Sequence, residues 1–360
     1  MNKHHYVCIM AGGIGSRFWP MSRTKLPKQF LDILNTGNTL LQATFKRFAA
    51  FIPVENIFIV TSTDYTALVH EQLPQASESN ILSEPSRKNT APCVAYMAHK
   101  LMVRDPEASI IVAPSDHLIL DQTAFVKVCL EALNFVNKHS ALITLGIQPT
   151  YPNTGYGYIQ YEEQAVTSNV YKVKLFTEKP NLELAKTFIA SGDFLWNAGI
   201  FVWKAKHIIS AFEKYLPEMN ELFTTEKENF EAEGEQEAIE RIYPQCVNMS
   251  IDNGIMEKAD NVYIIPSSFG WSDLGAWNSA YDNMDKDYLG NAVKGENVMV
   301  IDATKNVVYG DDKKLILLQG LDDFIVIDTK DVLLICKREK EQEIKEFIAE
   351  VKRNKGEKFL

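Results

Sequence analysis

Up to about Gly146, short runs of consecutive apolar residues alternate with stretches in which apolar positions recur every three or four residues. The runs predict strands at Tyr6–Met10, Ile57–Thr61, Ser109–Ala113 and Ala141–Gly146. The periodic stretches predict helices near Leu40–Ala50, Asp64–Leu73, Thr90–Val103 and Thr123–Lys138, with Thr39, Asp64 and Thr123 as N-caps of three of them. Such alternation indicates βαβ units and a doubly wound, mostly parallel sheet. From about Tyr156 the pattern is mixed. Strand-like YGYIQY and VYKVKLFTE precede a helix near Leu182–Ser191, then LWNAGIFVW, then a long charged helical stretch around Met219–Arg241. This reads as an inserted α+β substrate-binding lobe on the edge of the first sheet.

After about Leu289 the runs become short and β-rich (NVMVID, NVVYG, KLILLQ, DFIVID, DVLLICK), separated by Gly, Asp, Asn and Lys. They predict a small β-rich C-terminal domain with a β-helix-like spacing of strands. A final helix closes it, with Ile344, Phe347, Ile348 and Val351 at helical spacing. The expected division is a large domain over 1–288, with halves of about 1–150 and 151–288, and a small one over 289–360. No low-complexity linker separates them, so docking rather than tethering is expected.

Composition narrows the function classes. A net charge of −10 disfavours a nucleic-acid partner, which calls for a basic stripe. It leaves room for a nucleotide, since a few local cations can hold a triphosphate. The cysteines Cys8, Cys93, Cys129, Cys246 and Cys336 are odd in number and scattered, which fits reduced thiols in the cytoplasm better than a disulfide framework or a zinc site. The apolar run Tyr6 to Ala11 is too short for a signal peptide, and no uncharged apolar segment spans a bilayer, so no membrane partner is expected.

Candidate chemistry begins where the first strand ends. Ala11-Gly12-Gly13-Ile14-Gly15-Ser16-Arg17 places glycines at a strand's carboxyl end, where backbone N–H groups can form an anion-binding concavity. A tight turn is the plain alternative. The spacing is neither that of a P-loop nor GxGxxG. Arg17, Arg23, Lys25 and Lys28 follow within a short stretch stiffened by Pro20 and Pro27. Phe18, Trp19 and Phe30 are interleaved with them, which a solvated charge run explains poorly.

The string GGIGSRFWPMSRTKLPKQF closely resembles the GGxGxRxWPxS…PKQF signature of mannose-1-phosphate guanylyltransferases, within the wider sugar-nucleotide pyrophosphorylase family. The resemblance implies a Rossmann-like, glycosyltransferase-A-like fold. It implies that Ala11, Gly12, Gly13, Gly15 and Ser16 wrap a triphosphate, with Arg17 on the leaving β- and γ-phosphates and Lys28 beside the α-phosphate. Glu84-Pro-Ser-Arg-Lys-Asn89-Thr90-Ala-Pro resembles the family's EPxxRNTAP motif over the purine and ribose, with Lys88 where the family more often has arginine. Guanine offers N1–H and N2–H₂ donors, so the Glu84 carboxylate suits it better than adenine; Asn89 or Thr90 can also cap the next helix.

Asp116 in APSDH and Asp273 in FGWSDLGAW match aspartates that flank a Mg²⁺ ion and the α-phosphate in the family, although each alone reads as a turn or capping residue. His117 is not needed as a base, because a sugar phosphate is already ionised. For the sugar, Gly155 and Tyr156 lie in a match to the TGYGYI turn, Glu178 and Lys179 in a match to EKP, and Asn197 in a match to WNSGMF. A surface ion pair is the alternative for Glu178 and Lys179, and core packing is the reading for Trp196 and Phe201. Ser250–Lys258 resembles SIDYAVMEK with Asn253 and Gly254 replacing a bulkier pair; Asp252 is read as a helix cap rather than a support of the site.

The resemblance covers nearly the whole chain. It implies an enzyme joining GTP and mannose 1-phosphate into GDP-mannose and pyrophosphate, with Mg²⁺ as cofactor and a homodimer as the common assembly. Another base or hexose 1-phosphate is the nearest alternative, and a non-catalytic nucleotide-sugar sensor the remote one. Longer members carry a cupin-like isomerase domain; no such His-rich segment occurs in this chain, so isomerase activity is not expected.

Overall fold

The computed structural model describes residues 1–310 and 313–360. They form two compact units: Met1–Gly12, Phe45–Ser115 and Ile119–Trp271 make the first, and Gly13–Thr44, Asp116–Leu118 and Ser272–Leu360 the second.

The first unit is built on a nine-stranded sheet. In chain order its strands are β1 (His5–Met10), β2 (Ile57–Ser62), β3 (Ile81–Glu84), β4 (Ser109–Pro114), β5 (Leu142–Ile147), β6 (Tyr158–Thr167), β7 (Val170–Thr177), β8 (Phe194–Lys204) and β9 (Val262–Ser267). The spatial order is β3-β2-β1-β4-β8-β5-β9-β7-β6. β1 runs parallel to β2 and β4, β2 to β3, and β5 to β9. These strands are apolar almost without interruption because both their faces are buried. The segment LWNAGIFVW departs from its expected place. It forms β8, which lies antiparallel between β4 and β5 in the middle of the sheet, not in a lobe at its edge. Its residues are buried along almost its whole length, as a central strand requires.

The helices α1 (Leu40–Ala49), α2 (Thr66–Gln72), α3 (Thr90–Arg104) and α4 (Gln122–Lys138) fall where their periodicity places them. Thr39 caps α1 in a reciprocal box, accepting from Gln42 N–H at 3.3 Å while its own N–H donates to Gln42 Oε1 at 3.0 Å. The other two expected caps are different residues. A 3₁₀ turn precedes α2, so Ser62 accepts from Asp64 N–H at 3.4 Å. α4 begins one residue early, and Asp121 accepts from Ala124 N–H at 2.9 Å. The stretch Met219–Arg241 is also not continuous. Helix α7 (Pro217–Thr225), after α5 (Leu182–Ser191) and α6 (Ala205–Tyr215), stops before Phe230 turns into the core beside Tyr96 and His99; α8 (Glu235–Ile242) then restarts. Among the described residues no helix is long and apolar enough to cross a membrane.

The second unit contains a two-faced parallel coil. Strands β10 (Ala292–Lys294), β12 (Val307–Tyr309) and β14 (Phe324–Asp328) stack in parallel on one face, and β11 (Val298–Ile301) pairs with β13 (Ile316–Gln319) on the other. Ala292, Val307 and Ile325 share one register, 15 and then 18 residues apart (307−292, 325−307). β15 (Leu333–Lys337) closes the first face antiparallel to β14. Each rung of that face follows a residue with left-handed backbone, Gly290 (φ 79°), Lys305 (φ 55°) and Asp323 (φ 64°). Asn291 and Asn306 are buried at the next position in two rungs and bond to one another at 2.9 Å.

This unit's core mixes the coil with the glycine loop. Phe18, Trp19, Ile33 and Leu40 cluster with Trp277, Tyr309, Ile325, Ile327, Leu334 and Ile344. Phe18 meets Trp277 with ring centroids 4.9 Å apart, and Trp277 meets Tyr309 at the same distance. Trp19 Nε1 donates to Phe359 O at 2.8 Å, Lys294 Nζ to Asp32 O at 2.7 Å, and Tyr309 Oη to Ile33 O. A fully buried large apolar side chain contributes about 1.5–3 kcal/mol, so the aromatics between the loop's cations are anchors. Helix α9 (Trp277–Asn283) supplies Trp277, and Phe347, Ile348 and Val351 of α10 (Ile344–Lys355) pack against this core as their spacing predicts.

Candidate active site

The loop after β1 is held by hydrogen bonds within itself, two from side chains and one from the backbone. Ser22 Oγ donates to Gly15 O at 2.8 Å, Gln29 Nε2 to Gly13 O at 2.9 Å, and Lys28 N–H to Ile14 O at 3.2 Å. Gly15 has φ 64°, and a β-carbon there would run into the Lys28 stem, so the position excludes a side chain on both counts. Ser16–Phe18 form one 3₁₀ turn. Arg17 Nε is buried with no hydrogen-bond partner, an orphaned cationic donor of the kind an anion satisfies.

Lys28 is 3% exposed, an unusual place for a lysine unless it is paired. Its Nζ donates to Asp116 Oδ2 at 2.9 Å and to the backbone carbonyl of Asp273 at 2.8 Å, and lies 5.5 Å from the centre of the Phe18 ring. One ammonium therefore gathers three segments that are far apart in the chain. Burial works to raise the Asp116 carboxyl, but the charges of Lys28 and His117 outweigh it and hold the group below the usual aspartate range. Asp273 Oδ1 accepts from Gly275 N–H at 3.0 Å.

Among the described residues no group of three or more His, Cys, Asp or Glu side chains could hold a metal ion by itself. Asp116 and Asp273 instead offer two carboxylates. That donor set fits Mg²⁺, which keeps waters and phosphate oxygens for its remaining positions.

In the first unit, Ala11 and Gly12 follow directly on β1. Ala11 is tied to β2 by its N–H to Val60 O at 2.7 Å and by Thr61 Oγ1 to its carbonyl at 2.9 Å. Glu84 ends β3 and is 8% exposed. Its Oε1 accepts from Tyr243 Oη, and a β-carbon on Gly12 would stand 3.3 Å from its Oε2. Burial pushes the Glu84 carboxyl up to about 7, against the Tyr243 hydrogen bond, which favours the charged form.

A carboxyl raised in the fold contributes stability while protonated, and the contribution is lost as pH rises from the unfolded value of 4.5 through about 7. Glu84→Gln, which keeps an acceptor for Tyr243, should therefore gain on the parent across that window, by about 3 kcal/mol above it. Chemical denaturation at pH 4.5 and pH 8 checks this; a difference independent of pH would refute it.

Asn89 is exposed and caps α3, accepting from Thr90 N–H at 2.9 Å; Thr90 Oγ1 accepts from Ile251 N–H at 2.8 Å. The capping alternative for this pair is thus realised in the structure.

The sugar-motif residues form a second group. Asn197 N–H donates to Gly157 O at 2.8 Å, and a β-carbon on Gly157 would lie 2.6 Å from Glu178 Oε2 and 3.2 Å from Asn197 Cβ. Lys179 N–H donates to Tyr156 O at 3.2 Å, Tyr156 packs edge-on against Trp196 and Trp271, and Gly155 N–H donates to Asn153 Oδ1 at 2.7 Å. Lys179 Nζ and Glu178 Oε1 pair at 2.5 Å, and the lysine is 63% exposed, so the pair adds little stability and can open to a ligand. Trp196 and Phe201 are core residues, as read.

Asp252 is not a cap. The segment Asp252–Met256 is a π-turn, Ser250 Oγ accepts from Asn253 N–H at 3.1 Å, and the Asp252 carboxylate instead accepts from Asn197 Nδ2 at 2.9 Å. Burial and then the charge of Glu178 push Asp252 up to about 7. Thr144 Oγ1 donates to Asn197 Oδ1 at 2.8 Å. The sequence alone does not single out Thr144, Gln29 or Tyr243 as supports of these groups, and it leaves Asp252 weighed as a support but read as a cap. Gln29 stands inside the PKQF string and was legible there; Tyr243 lies in no motif, and only the apolar spacing at the end of α8 marks it as buried.

The family described as Nucleotidyl transferase matches residues 6–288, and that described as MannoseP isomerase/GMP-like beta-helix domain matches residues 296–351. The chain is 35% identical to the alginate biosynthesis protein AlgA of Pseudomonas aeruginosa over 347 residues, covering 95% of this chain and 71% of that protein. It is 33% identical to a mannose-1-phosphate guanylyltransferase of Escherichia coli over 357 residues, covering 98% and 74%. Among solved structures, a Thermus thermophilus protein named mannose-1-phosphate geranyltransferase superposes with a TM-score of 0.87 at 29% identity, covering 97% of this chain and 99% of the other.

Proposed function

This chain belongs to the nucleotidyl transferase family, and on that premise we propose that it transfers GMP from GTP to mannose 1-phosphate. A phosphate oxygen of the sugar attacks the α-phosphorus of GTP. The new P–O bond forms as the bond to the β-phosphate bridge breaks, and pyrophosphate leaves with the electron pair. One phosphoanhydride replaces another, so the reaction runs in both directions. No proton has to be removed from the nucleophile.

The observation that carries this reading is the buried Lys28 ammonium, held between the Asp116 carboxylate and the Asp273 carbonyl. The obstacle in the reaction is the meeting of two polyanions, and a preorganised, water-poor cation is what lowers it. Lys28 serves the α-phosphate. Arg17, with its unpaired Nε, serves the departing β- and γ-phosphates. Asp116 and Asp273 would hold a Mg²⁺ ion, which supplies further charge neutralisation at the phosphates. The loop from Ala11 through Ser16 cradles the triphosphate, Glu84 takes the guanine donors, and Asn89 and Thr90 border the ribose. For the hexose, Glu178 accepts sugar hydroxyls and Lys179 meets its phosphate, while Gly155 and Tyr156 form the turn beside it. Asn197, whose Oδ1 and one Nδ2 hydrogen are engaged, keeps one N–H for a hydroxyl. Five free cysteines agree with a cytoplasmic, reducing setting.

The test is a matrix of four nucleoside triphosphates against several hexose 1-phosphates, read by pyrophosphatase-coupled phosphate release. GTP with mannose 1-phosphate is expected to give the highest kcat/KM. Preference for another pair would overturn the substrate assignment, and no release from any pair would make the chain a binding protein.

A further inference from the structure

Tyr243 opens the short turn after α8 and stands 159 residues from Glu84 in the chain. Its ring is fully buried and packs edge-on against Phe223 with centroids 6.4 Å apart. Its hydroxyl donates to Glu84 Oε1, the one hydrogen bond to that carboxyl among the described residues. The opposite oxygen, Oε2, faces Gly12, where β1 has just ended. The carboxyl is thus gripped on one oxygen and presented on the other. Each carboxylate oxygen has two acceptor sites, so Tyr243 does not exhaust it.

The other groups around the pair cannot do this work. Cys93 from α3 faces Glu84 as a buried thiol with Cys8 from β1 behind it, and Cys246, with Lys88 beyond it, adjoins Tyr243. Thiols are weak donors and do not fix a carboxylate.

We infer that Tyr243 is a positioning residue for nucleobase selection, aiming the Glu84 carboxylate at the paired N1–H and N2–H₂ donors of guanine. The inference rests on the reading of Glu84 as the base-selecting residue. An unrestrained carboxylate in the same place would meet a purine edge less selectively, because discrimination depends on an acceptor that is buried and left unpaired by the wrong base.

The experiment compares Tyr243→Phe and Glu84→Gln in the full chain, with GTP and with ITP, which lacks the 2-amino group. For Tyr243→Phe, kcat/KM for GTP should fall about tenfold, mostly through KM, with a smaller fall for ITP. The GTP-to-ITP preference should shrink accordingly. The acid limb of the GTP profile should move up by about one pH unit, since the lost hydrogen bond had favoured the charged carboxylate. The preference ratio does not depend on how much of a variant is folded, so a weakened fold cannot imitate the result. An unchanged ratio in Glu84→Gln would refute the base-selecting reading itself. A collapsed ratio in Glu84→Gln with an unchanged ratio and acid limb in Tyr243→Phe would refute the inference alone and leave Tyr243 a core residue.

Discussion

Lys28→Met should lower turnover about a thousandfold, the scale at which removing a preorganised charge partner of a transition state is felt. Methionine keeps the apolar stem that packs against Gly15 and deletes the ammonium that lies over the Phe18 ring. The loss should appear chiefly in kcat, because negative charge at the α-phosphate grows as the new bond forms. Stability should fall far less. Asp116, the anion left behind, keeps 30% exposure and can turn to water, so the penalty of an unpaired buried charge does not apply in full. Pyrophosphate release measured beside thermal unfolding separates the two effects. A folded variant with near-parental turnover would remove Lys28 from the mechanism and, with it, the proposed chemistry.

The second large effect is expected where no chemistry occurs. Asn306→Ala should cost about 3–5 kcal/mol. The Asn306 side chain is fully buried: Nδ2 donates to Asn291 Oδ1 at 2.9 Å and to Leu321 O at 3.0 Å, and Oδ1 accepts from Phe324 N–H at 2.9 Å. Alanine would leave a backbone carbonyl and a backbone N–H of the neighbouring rung without these partners. Denaturant unfolding followed by tryptophan fluorescence reads the change, since Trp19 and Trp277 both lie in this unit's core. A loss below 1 kcal/mol would mean that the asparagine ladder is dispensable to the coil.

What could be read in advance follows from how locally each feature is determined. Strands β1, β2 and β4 are uninterrupted apolar runs buried on both faces, and such runs announce themselves. The place of β8 is set by which strands it pairs with, and nothing in LWNAGIFVW encodes β4 and β5 as neighbours. Caps show the same division. Thr39 was legible because its box partner Gln42 is three residues away, whereas Asp64 lost its role to Ser62 through a 3₁₀ turn that leaves no periodic trace. The coil was visible only as near-regular spacing, because its rungs repeat at 15 and then 18 residues and share little beyond a left-handed residue before each strand. In the candidate site, the residues inside motifs were legible by type. Their partners were not: Lys28 meets Asp116, Glu84 meets Tyr243, and Asn197 meets Asp252 only after folding.

The common core of the glycine loop and the coil also sets rules for recombining this chain with a relative. A crossover near residue 288 would keep the loop from one parent and take the rungs from the other. The Trp19–Phe359, Tyr309–Ile33 and Arg23–Asp331 contacts would then have to be remade between foreign partners. Exchanging 13–44 together with 272–360 would carry each of those pairs across intact. The heritable module in this protein is thus discontinuous in its gene, and libraries of chimaeras cut at the linear boundary should be poorer in active members than libraries cut around it.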